Sequence, residues 1–137
     1  MGAAVRLSAQ GGAALYQQIV GLWGAGPMER ADAVALANSM GGAANRPRLA
    51  LFLTLCEQFL SRLARAGVMG LPTAEAAPQE HAVLARLSPH DAAAKAWAQV
   101  TPEILARARH GLAVNLDPGA VVLDMLGAME RTARQIG

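Results

Sequence analysis

Cysteine, aromatic residues and long hydrophobic runs are all scarce in this chain, and each shortage excludes a class of protein. Cys56 is the single cysteine among 137 residues. A single cysteine excludes an internal disulfide, a cysteine zinc site and a CxxC redox pair, and the scarcity of cysteine favours a reducing, cytoplasmic setting. No apolar run approaches the roughly 18 to 20 residues that a membrane-spanning helix requires, so no membrane contact is expected. The amino terminus also lacks the basic and apolar regions of a signal peptide.

The composition favours helices over strands. Aromatic residues make up 4% of the chain, and β-branched runs, which are typical of strands, are few. Alanine and other good helix formers fill the intervals between glycines and prolines, which predicts an all-α single domain of about six to eight helices. The formal net charge is +2 and the basic residues are dispersed, so the pI of 9.3 is a weak indication of nucleic-acid binding.

The clearest helix signal lies in the stretch 111–136. Asp117 is a good N-cap, and Pro118 suits the first helical position because no backbone donor is needed there. The pattern predicts a helix over 118–135 that buries one face. Its apolar side chains recur at spacings of three and four: Val122, Met125, Leu126, Met129, Ala133 and Ile136.

Glycine and proline divide the rest of the chain into further predicted helices. The helix over 47–66 is the most hydrophobic and is expected at the centre of the core, where Cys56 would be buried and inert. Ser88-Pro89 is a cap and first-turn pair for a later helix, which either breaks at Pro102 or continues through it with a kink. The other helices are expected over 3–9, ended by Gly11-Gly12, and over 13–23, 28–40 and 79–87, with a loop over 67–78.

The apolar positions exceed what one small bundle needs. Leu51 and Leu55 lie beside the main stripe of the helix over 47–66, and Trp23 and Trp97 belong to helices that already have apolar anchors. Exposed apolar patches usually mark partner surfaces. A partner surface is therefore predicted around four side chains of this central helix, namely Leu51, Leu55, Arg62 and Arg65.

No constellation of residues for catalysis, cofactor binding or metal binding is recognisable. A GxxxxGK[ST] loop is absent, and the glycines of GLWGAG do not match GxGxxG and sit at a helix end. His81, His90 and His110 share no metal-ligand spacing and are expected on exposed helix surfaces. The site prediction is therefore no catalytic residue, no cofactor and no metal.

Basic residues form three small groupings without interleaved aromatic residues. Solvated helix faces are the interpretation favoured over phosphate contacts. The groupings are Arg46 with Arg48, Arg62 with Arg65, and Arg107 with Arg109.

The order of several segments resembles a known family. They are GGAALYQQIVGLWGAGPMERADAVALANSM, then RLALFLTLCEQFLSRLARAGVMG, a Trp-bearing helix and AVNLDPGAVVLDMLGAM. In this order they resemble the C-terminal region of the bacterial DNA polymerase III delta-prime subunit, in its alphaproteobacterial form. Its most specific pieces are Ala14-Leu15-Tyr16 and the turn Asn115-Leu116-Asp117-Pro118. Residues 1–10 resemble the end of the helical lid that precedes this region, which leaves 11–137 as the collar domain and the chain as a fragment.

The resemblance implies a helical collar that holds a five-subunit clamp loader together during DNA replication. Its partners would be the gamma/tau and delta subunits, and DNA would be contacted only indirectly, through an AAA+ module absent from this chain. The fragment itself would be no enzyme, although the parent holoenzyme is a DNA-directed DNA polymerase, and alone it would be a monomer or weak dimer. In the turn, Asn115 and Asp117 would satisfy backbone groups and Leu116 would fill the interior.

Three other functions remain compatible with the residues. The chain could be the oligomerisation domain of another AAA+ replication or repair protein, which would assemble with itself. It could be a helical module that binds DNA through its arginine groupings, with strong salt dependence. The third alternative is a small helical enzyme with a pocket near Trp97 and His110.

Overall fold

The computed structural model describes the backbone of residues 2–136 and the side chains of residues 11–136. Over that range 77% of the residues are helical and none lies in a strand, which confirms the predicted all-α single-domain bundle. A short 3-10 turn, Ala43–Asn45, precedes the third helix. The α-helices are α1 (Gly2–Gly21), α2 (Arg30–Asn38), α3 (Arg46–Met69), α4 (Glu80–Leu87), α5 (Asp91–Ala113) and α6 (Pro118–Ile136).

Helices α3 and α5 form the most extensive helix pair of the bundle. They run antiparallel, because Gly67 near the end of α3 packs against Ala94 near the start of α5. A Cβ at Gly67 would lie 3.0 Å from that of Ala94, so the missing side chain lets the two helices approach closely. As predicted, α3 is central to the core: its Phe52 and Phe59 are fully buried, as is Trp97 of α5.

Helix α1 corrects a prediction, since it runs without interruption through Gly11-Gly12. Glycine lowers helix stability but ends a helix chiefly when it adopts a left-handed conformation, and neither of these glycines has a positive φ. The prediction of a separate helix over 3–9 was therefore wrong, and the expected boundary after residue 10 falls inside α1.

Helix α2 begins at Arg30, two residues later than the predicted start at Met28. The reason is a distant partner, because the backbone N–H of Met28 donates to Oε1 of Glu130 at 3.2 Å. The residues before Arg30 are thereby held as a loop against α6.

Helix α5 is a single helix that contains Pro102, which resolves the two alternatives left open by its sequence. Proline removes the hydrogen bond to the carbonyl of Ala98, four residues earlier. Both Ala98 and Pro102 are exposed, so water can reach that carbonyl. The helix starts after His90, whose Nδ1 accepts the N–H of Ala93 at 3.1 Å.

The predicted Ser88-Pro89 cap was wrong, because Ser88 has a different role. Its side chain is buried, and Oγ donates to the carbonyl oxygen of Leu63 at 2.6 Å, which ties the end of α4 to α3. Within the described residues, none of the helices has the length and apolarity needed to cross a membrane.

Candidate partner surfaces and the carboxylates that frame them

The turn between α5 and α6 is built by backbone geometry at one end and by a carboxylate at the other. Asn115 has a left-handed conformation with φ 63°, and its N–H donates to the carbonyl of Leu112. The N–H of Leu116 donates to the carbonyl of Gly111 at 2.9 Å. These two bonds form a Schellman motif, in which a left-handed residue closes the helix.

Helix α6 then starts with the cap that the sequence pattern predicts. Oδ2 of Asp117 accepts the N–H of Ala120 at 3.0 Å, and Pro118 occupies the first helical position. Asn115 contributes its backbone conformation, whereas Asp117 contributes its side chain. The four-residue turn thus fixes the direction in which α6 leaves α5.

Leu116 lies on the surface and does not fill the turn. It is 54% exposed, and Val114 beside it is 53% exposed. One methyl group of Leu116 rests against Gly111, where a Cβ would come within 3.3 Å of it. The turn therefore presents two large apolar side chains to solvent, and we name Val114 and Leu116 the turn patch.

A cleft of about 520 Å³ separates the turn patch from the amino-terminal half of α3. Leu49, Leu53 and Leu112 provide apolar walls, and the exposed guanidinium of Arg46 lies at its edge. Arg46 forms no salt bridge within the described residues. An apolar cleft with one uncompensated cation is suited to an apolar segment that carries an acidic residue.

A second group of exposed apolar side chains lies where α3 ends. Val68, Met69 and Leu71 are 57%, 77% and 43% exposed, and we name them the α3 end patch. They flank Gly70, whose positive φ of 87° ends the helix. Because α3 and α5 are antiparallel, this patch lies at the opposite end of the helix pair from the turn patch.

The predicted partner residues of α3 lie between these two patches. Leu51 and Leu55 are half-buried and pack against the core, with Leu51 facing Gly12 of α1. Trp23 and Trp97 do not belong to the predicted surplus of exposed apolar side chains, because both are buried. The large exposed apolar side chains of the described residues belong instead to helix ends and loops.

Arg62 and Arg65, predicted as a pair, have different surroundings. Arg65 is exposed, whereas Arg62 is partly buried and its Nη1 lies 3.2 Å from Oε1 of Glu80. Glu80 is fully buried, and its other oxygen accepts the hydroxyl of Tyr16 at 2.5 Å. The N–H of Ala76 also donates to Oε1 at 2.8 Å, so one carboxylate joins α1, α3, α4 and the loop before α4.

Burial and this carboxylate both affect Tyr16. Desolvation, followed by the hydrogen bond to Glu80, raises the pKa of the phenol above its ordinary value. The hydroxyl of Tyr16 is therefore protonated at neutral pH and donates to Glu80. Tyr16 also packs edge-on against Phe59, with ring centroids 6.3 Å apart.

Glu130 of α6 is a second buried carboxylate. Oε1 accepts the indole N–H of Trp23 at 2.9 Å as well as the N–H of Met28, and Oε2 accepts Nε of Arg134 at 2.9 Å. Burial opposes ionisation, but the donors from Arg134, Trp23 and Met28 outweigh it and lower the pKa of Glu130. It holds the loop between α1 and α2 against α6.

Sequence reasoning missed both carboxylates for different reasons. Glu80 occupies the first turn of α4, where an acidic residue is ordinary because it complements the helix dipole. Glu130 gave a usable signal, since it follows Val122 and Leu126 at intervals of four and so lies at the edge of the buried stripe.

Three of the six grouped arginines form salt bridges within the described residues, namely Arg62, Arg107 and Arg109. Arg107 pairs with Asp124 at 2.9 Å, and Arg109 lies 3.5 Å from Glu57. Arg48 donates to neutral side-chain oxygens of Gln18 and Ser39. The two salt bridges reduce the positive charge that Arg107 and Arg109 offer to a phosphate backbone and disfavour direct DNA binding through that grouping, whereas Arg48 keeps its charge.

The remaining candidate groups for chemistry do not converge. Cys56 is buried as predicted, and desolvation raises the pKa of its thiol. His90 and His110 are exposed, but His81 is partly buried, so the prediction of three exposed histidines fails there. Its Nε2 has no hydrogen-bond partner among the side chains and backbone that the structure describes. Within the described residues, no three His, Cys, Asp or Glu side chains are grouped to hold a metal ion.

Comparison with known proteins adds no relative to this description. The chain matches no family model, no curated protein and no solved structure.

Proposed function

We propose that this chain is a non-catalytic oligomerisation domain, the collar of a delta-prime-type subunit that helps to hold a clamp loader together during DNA replication. The residue resemblance supports this proposal because its segments occur in one order along nearly the whole chain. Its implied partners are the gamma/tau and delta subunits, with nucleotide chemistry left to an AAA+ module.

The observation that carries the proposal is the position of Leu116. This side chain belongs to the most specific motif of the resemblance, and it is 54% exposed beside an apolar cleft. A large apolar residue that is fixed by a rigid turn and left in water costs solvation free energy, about 25 cal/mol for each Å² that a partner would cover. Such a residue is well suited to be an anchor at an interface.

The separation of the two patches supports a domain with two neighbours. Helix α3 has 24 residues, so at about 1.5 Å per residue its ends are roughly 36 Å apart. The turn patch and the α3 end patch lie near these opposite ends and differ in their residues. Different surfaces at opposite ends suit heterologous contacts, which build rings and arcs of subunits.

Size-exclusion chromatography of mixtures tests the assignment. The chain should co-elute with purified gamma/tau or delta subunits of an alphaproteobacterial clamp loader. Leu116→Glu should weaken this association by about tenfold or more, since hot-spot anchors contribute about 2 kcal/mol or more. Ala106→Glu is the matched control, because Ala106 is exposed on α5 and does not line the cleft beside Leu116.

Three results would contradict the proposal. If the chain co-elutes with none of the loader subunits, these subunits are not its partners. If the Leu116→Glu and Ala106→Glu variants bind equally well, the turn patch is not the interface. The third result concerns the molar mass of the isolated chain measured by light scattering, which should be mainly that of a monomer. A stable higher oligomer would favour the self-assembling domain of another AAA+ protein.

A further inference from the structure

A second cleft lies at a different place, between the α1–α2 loop and the ends of α4 and α6. Its volume is about 320 Å³, within the range of small-ligand sites. It shares no lining residue with the cleft beside Leu116. Trp23, Pro27, Leu87 and Ala133 form an apolar wall, and Arg86 and Arg134 supply its cationic groups.

Both guanidinium groups are held in position by the protein. Nη2 of Arg86 donates to the carbonyl oxygens of Trp23 and Gly26, the latter at 3.2 Å. Nε of Arg134 donates to Oε2 of Glu130 at 2.9 Å. A guanidinium has five N–H groups, so each arginine retains donors after these bonds. Side chains that are already oriented lose less entropy when they bind a ligand.

The charges of the cleft do not balance. Arg134 is paired with Glu130, whose two oxygens are already occupied by donors from Trp23, Met28 and Arg134 itself. Arg86 faces neutral carbonyl oxygens and forms no salt bridge within the described residues. The cleft thus has two cations and one anion and retains a net positive charge.

We propose that this cleft binds a carboxylate that is attached to an apolar body. The carboxylate would accept N–H groups of Arg86 and Arg134, and the body would lie against Trp23, Pro27 and Leu87. Arginine binds a carboxylate through paired N–H donors, and such charge-assisted bonds are about twice as strong as neutral ones. This site is additional to the proposed collar function and does not depend on it.

The first test uses hexanoate and 1-hexanol as probes in ¹H–¹⁵N NMR titrations of the whole chain. Hexanoate should produce saturable shifts at the indole N–H of Trp23 and at the amides of Gly26 and Leu87. Hexanol lacks the charge and should bind about tenfold more weakly, since a hydrogen bond to a charged group contributes about 1.5–3 kcal/mol. Equal shifts from both probes, or none from hexanoate, would overturn the proposal.

Substitutions assign the binding to the two arginines. Arg86→Gln should reduce hexanoate affinity about tenfold. Arg134→Gln should do the same, and it serves as the second variant if the loss of Arg86 unfolds the loop that it holds. Arg131→Gln is the matched control, because Arg131 is exposed on α6 and lines a different cleft. Unchanged affinity in both Arg86→Gln and Arg134→Gln would overturn the assignment.

A final arm distinguishes a free acid from the carboxyl end of a peptide. Acetyl-Leu-Leu with a free carboxylate is compared with its C-terminal amide and with hexanoate. Tighter binding of the free dipeptide than of hexanoate would identify a peptide terminus as the ligand, and the reverse would identify a small free acid. If the amide binds as well as the free dipeptide, the carboxylate has no part and the proposal fails.

Discussion

Replacement of Glu80 by alanine should be among the most destabilising changes in this domain. The carboxylate is fully buried, and it accepts the Tyr16 hydroxyl at 2.5 Å, the Ala76 N–H at 2.8 Å and the Arg62 guanidinium at 3.2 Å. Removal of the carboxylate leaves all three donors without their acceptor. A hydrogen bond to a charged group contributes about 1.5–3 kcal/mol, so loss of the bonds from the Tyr16 hydroxyl and the Ala76 N–H should cost about 3–6 kcal/mol together. Arg62 adds less, because its side chain is 27% exposed and water can reach it.

That cost is large against the stability of a domain of this size. Natural domains have unfolding free energies of about 5–15 kcal/mol, so Glu80→Ala would remove a third or more of a typical value. The midpoint of thermal unfolding should fall by roughly 10 °C, at about 3 °C for each kcal/mol. Urea unfolding followed by the fluorescence of the buried Trp23 and Trp97 measures the free energy directly.

Two further variants show whether the hydrogen bonds are responsible. Glu80→Gln keeps the shape and one acceptor oxygen, so it should cost about 1–3 kcal/mol. Tyr16→Phe should cost about 1–2 kcal/mol alone and much less in the Glu80→Ala background, because the two side chains interact directly. Glu103→Ala, at an exposed position of α5, should stay within about 0.5 kcal/mol of the parent. If Glu80→Ala is as harmless as Glu103→Ala, the anchor role of Glu80 is refuted.

Three other changes test separate features. Gly11→Ala should increase the free energy of unfolding by about 0.5–1 kcal/mol, because Gly11 lies inside α1 with open space at its Cβ position. The urea midpoint should rise accordingly, and a lower midpoint would contradict the continuous helix. Gly67→Ala should destabilise by about 1–3 kcal/mol, because the new methyl group would clash with the carbonyl of His90; unchanged stability would contradict the close packing of α3 on α5. The pKa of Glu130 is lowered by folding, so its contribution is present above its ordinary value of 4.5 and is lost as the pH falls through the folded-state pKa. Glu130→Gln should therefore flatten the acid limb of the stability–pH profile, and an unchanged limb would exclude Glu130 as its source.

Features that depend on local sequence were predictable. The start of α6 follows from Asp117 and Pro118, because a cap and a first-turn proline act on the backbone within four residues. The buried face of α6 follows from the spacing of Val122, Met125 and Leu126, all of which are buried. The position of Cys56 in the core follows from the same periodicity in α3. In each case the determining interactions are a helical turn or less apart.

Features that depend on distant partners were not predictable. The loop before α2 extends to Arg30 because Met28 is bound by Glu130, a residue 102 positions away. His90, and not Ser88, caps α5 because the Ser88 hydroxyl donates to the carbonyl oxygen of Leu63 in α3. The local pattern at Gly11-Gly12 predicts the end of a helix, but glycine alone does not impose the left-handed conformation that ends one. The start of α2 and the cap of α5 are thus determined by hydrogen bonds between residues far apart in the sequence.

The two buried carboxylates explain how short and irregular segments hold fixed positions in an otherwise apolar bundle. Helix α4 has eight residues, fewer than an isolated helix needs for stability in water, and Glu80 joins it to α1 and α3. Glu130 acts in the same way on the α1–α2 loop. Apolar packing tolerates small shifts of one helix along another, whereas a carboxylate with three donors has one arrangement that satisfies them all. Loss of either carboxylate should therefore loosen its loop before it unfolds the bundle, with faster amide exchange at Ala76 for Glu80 and at Met28 for Glu130.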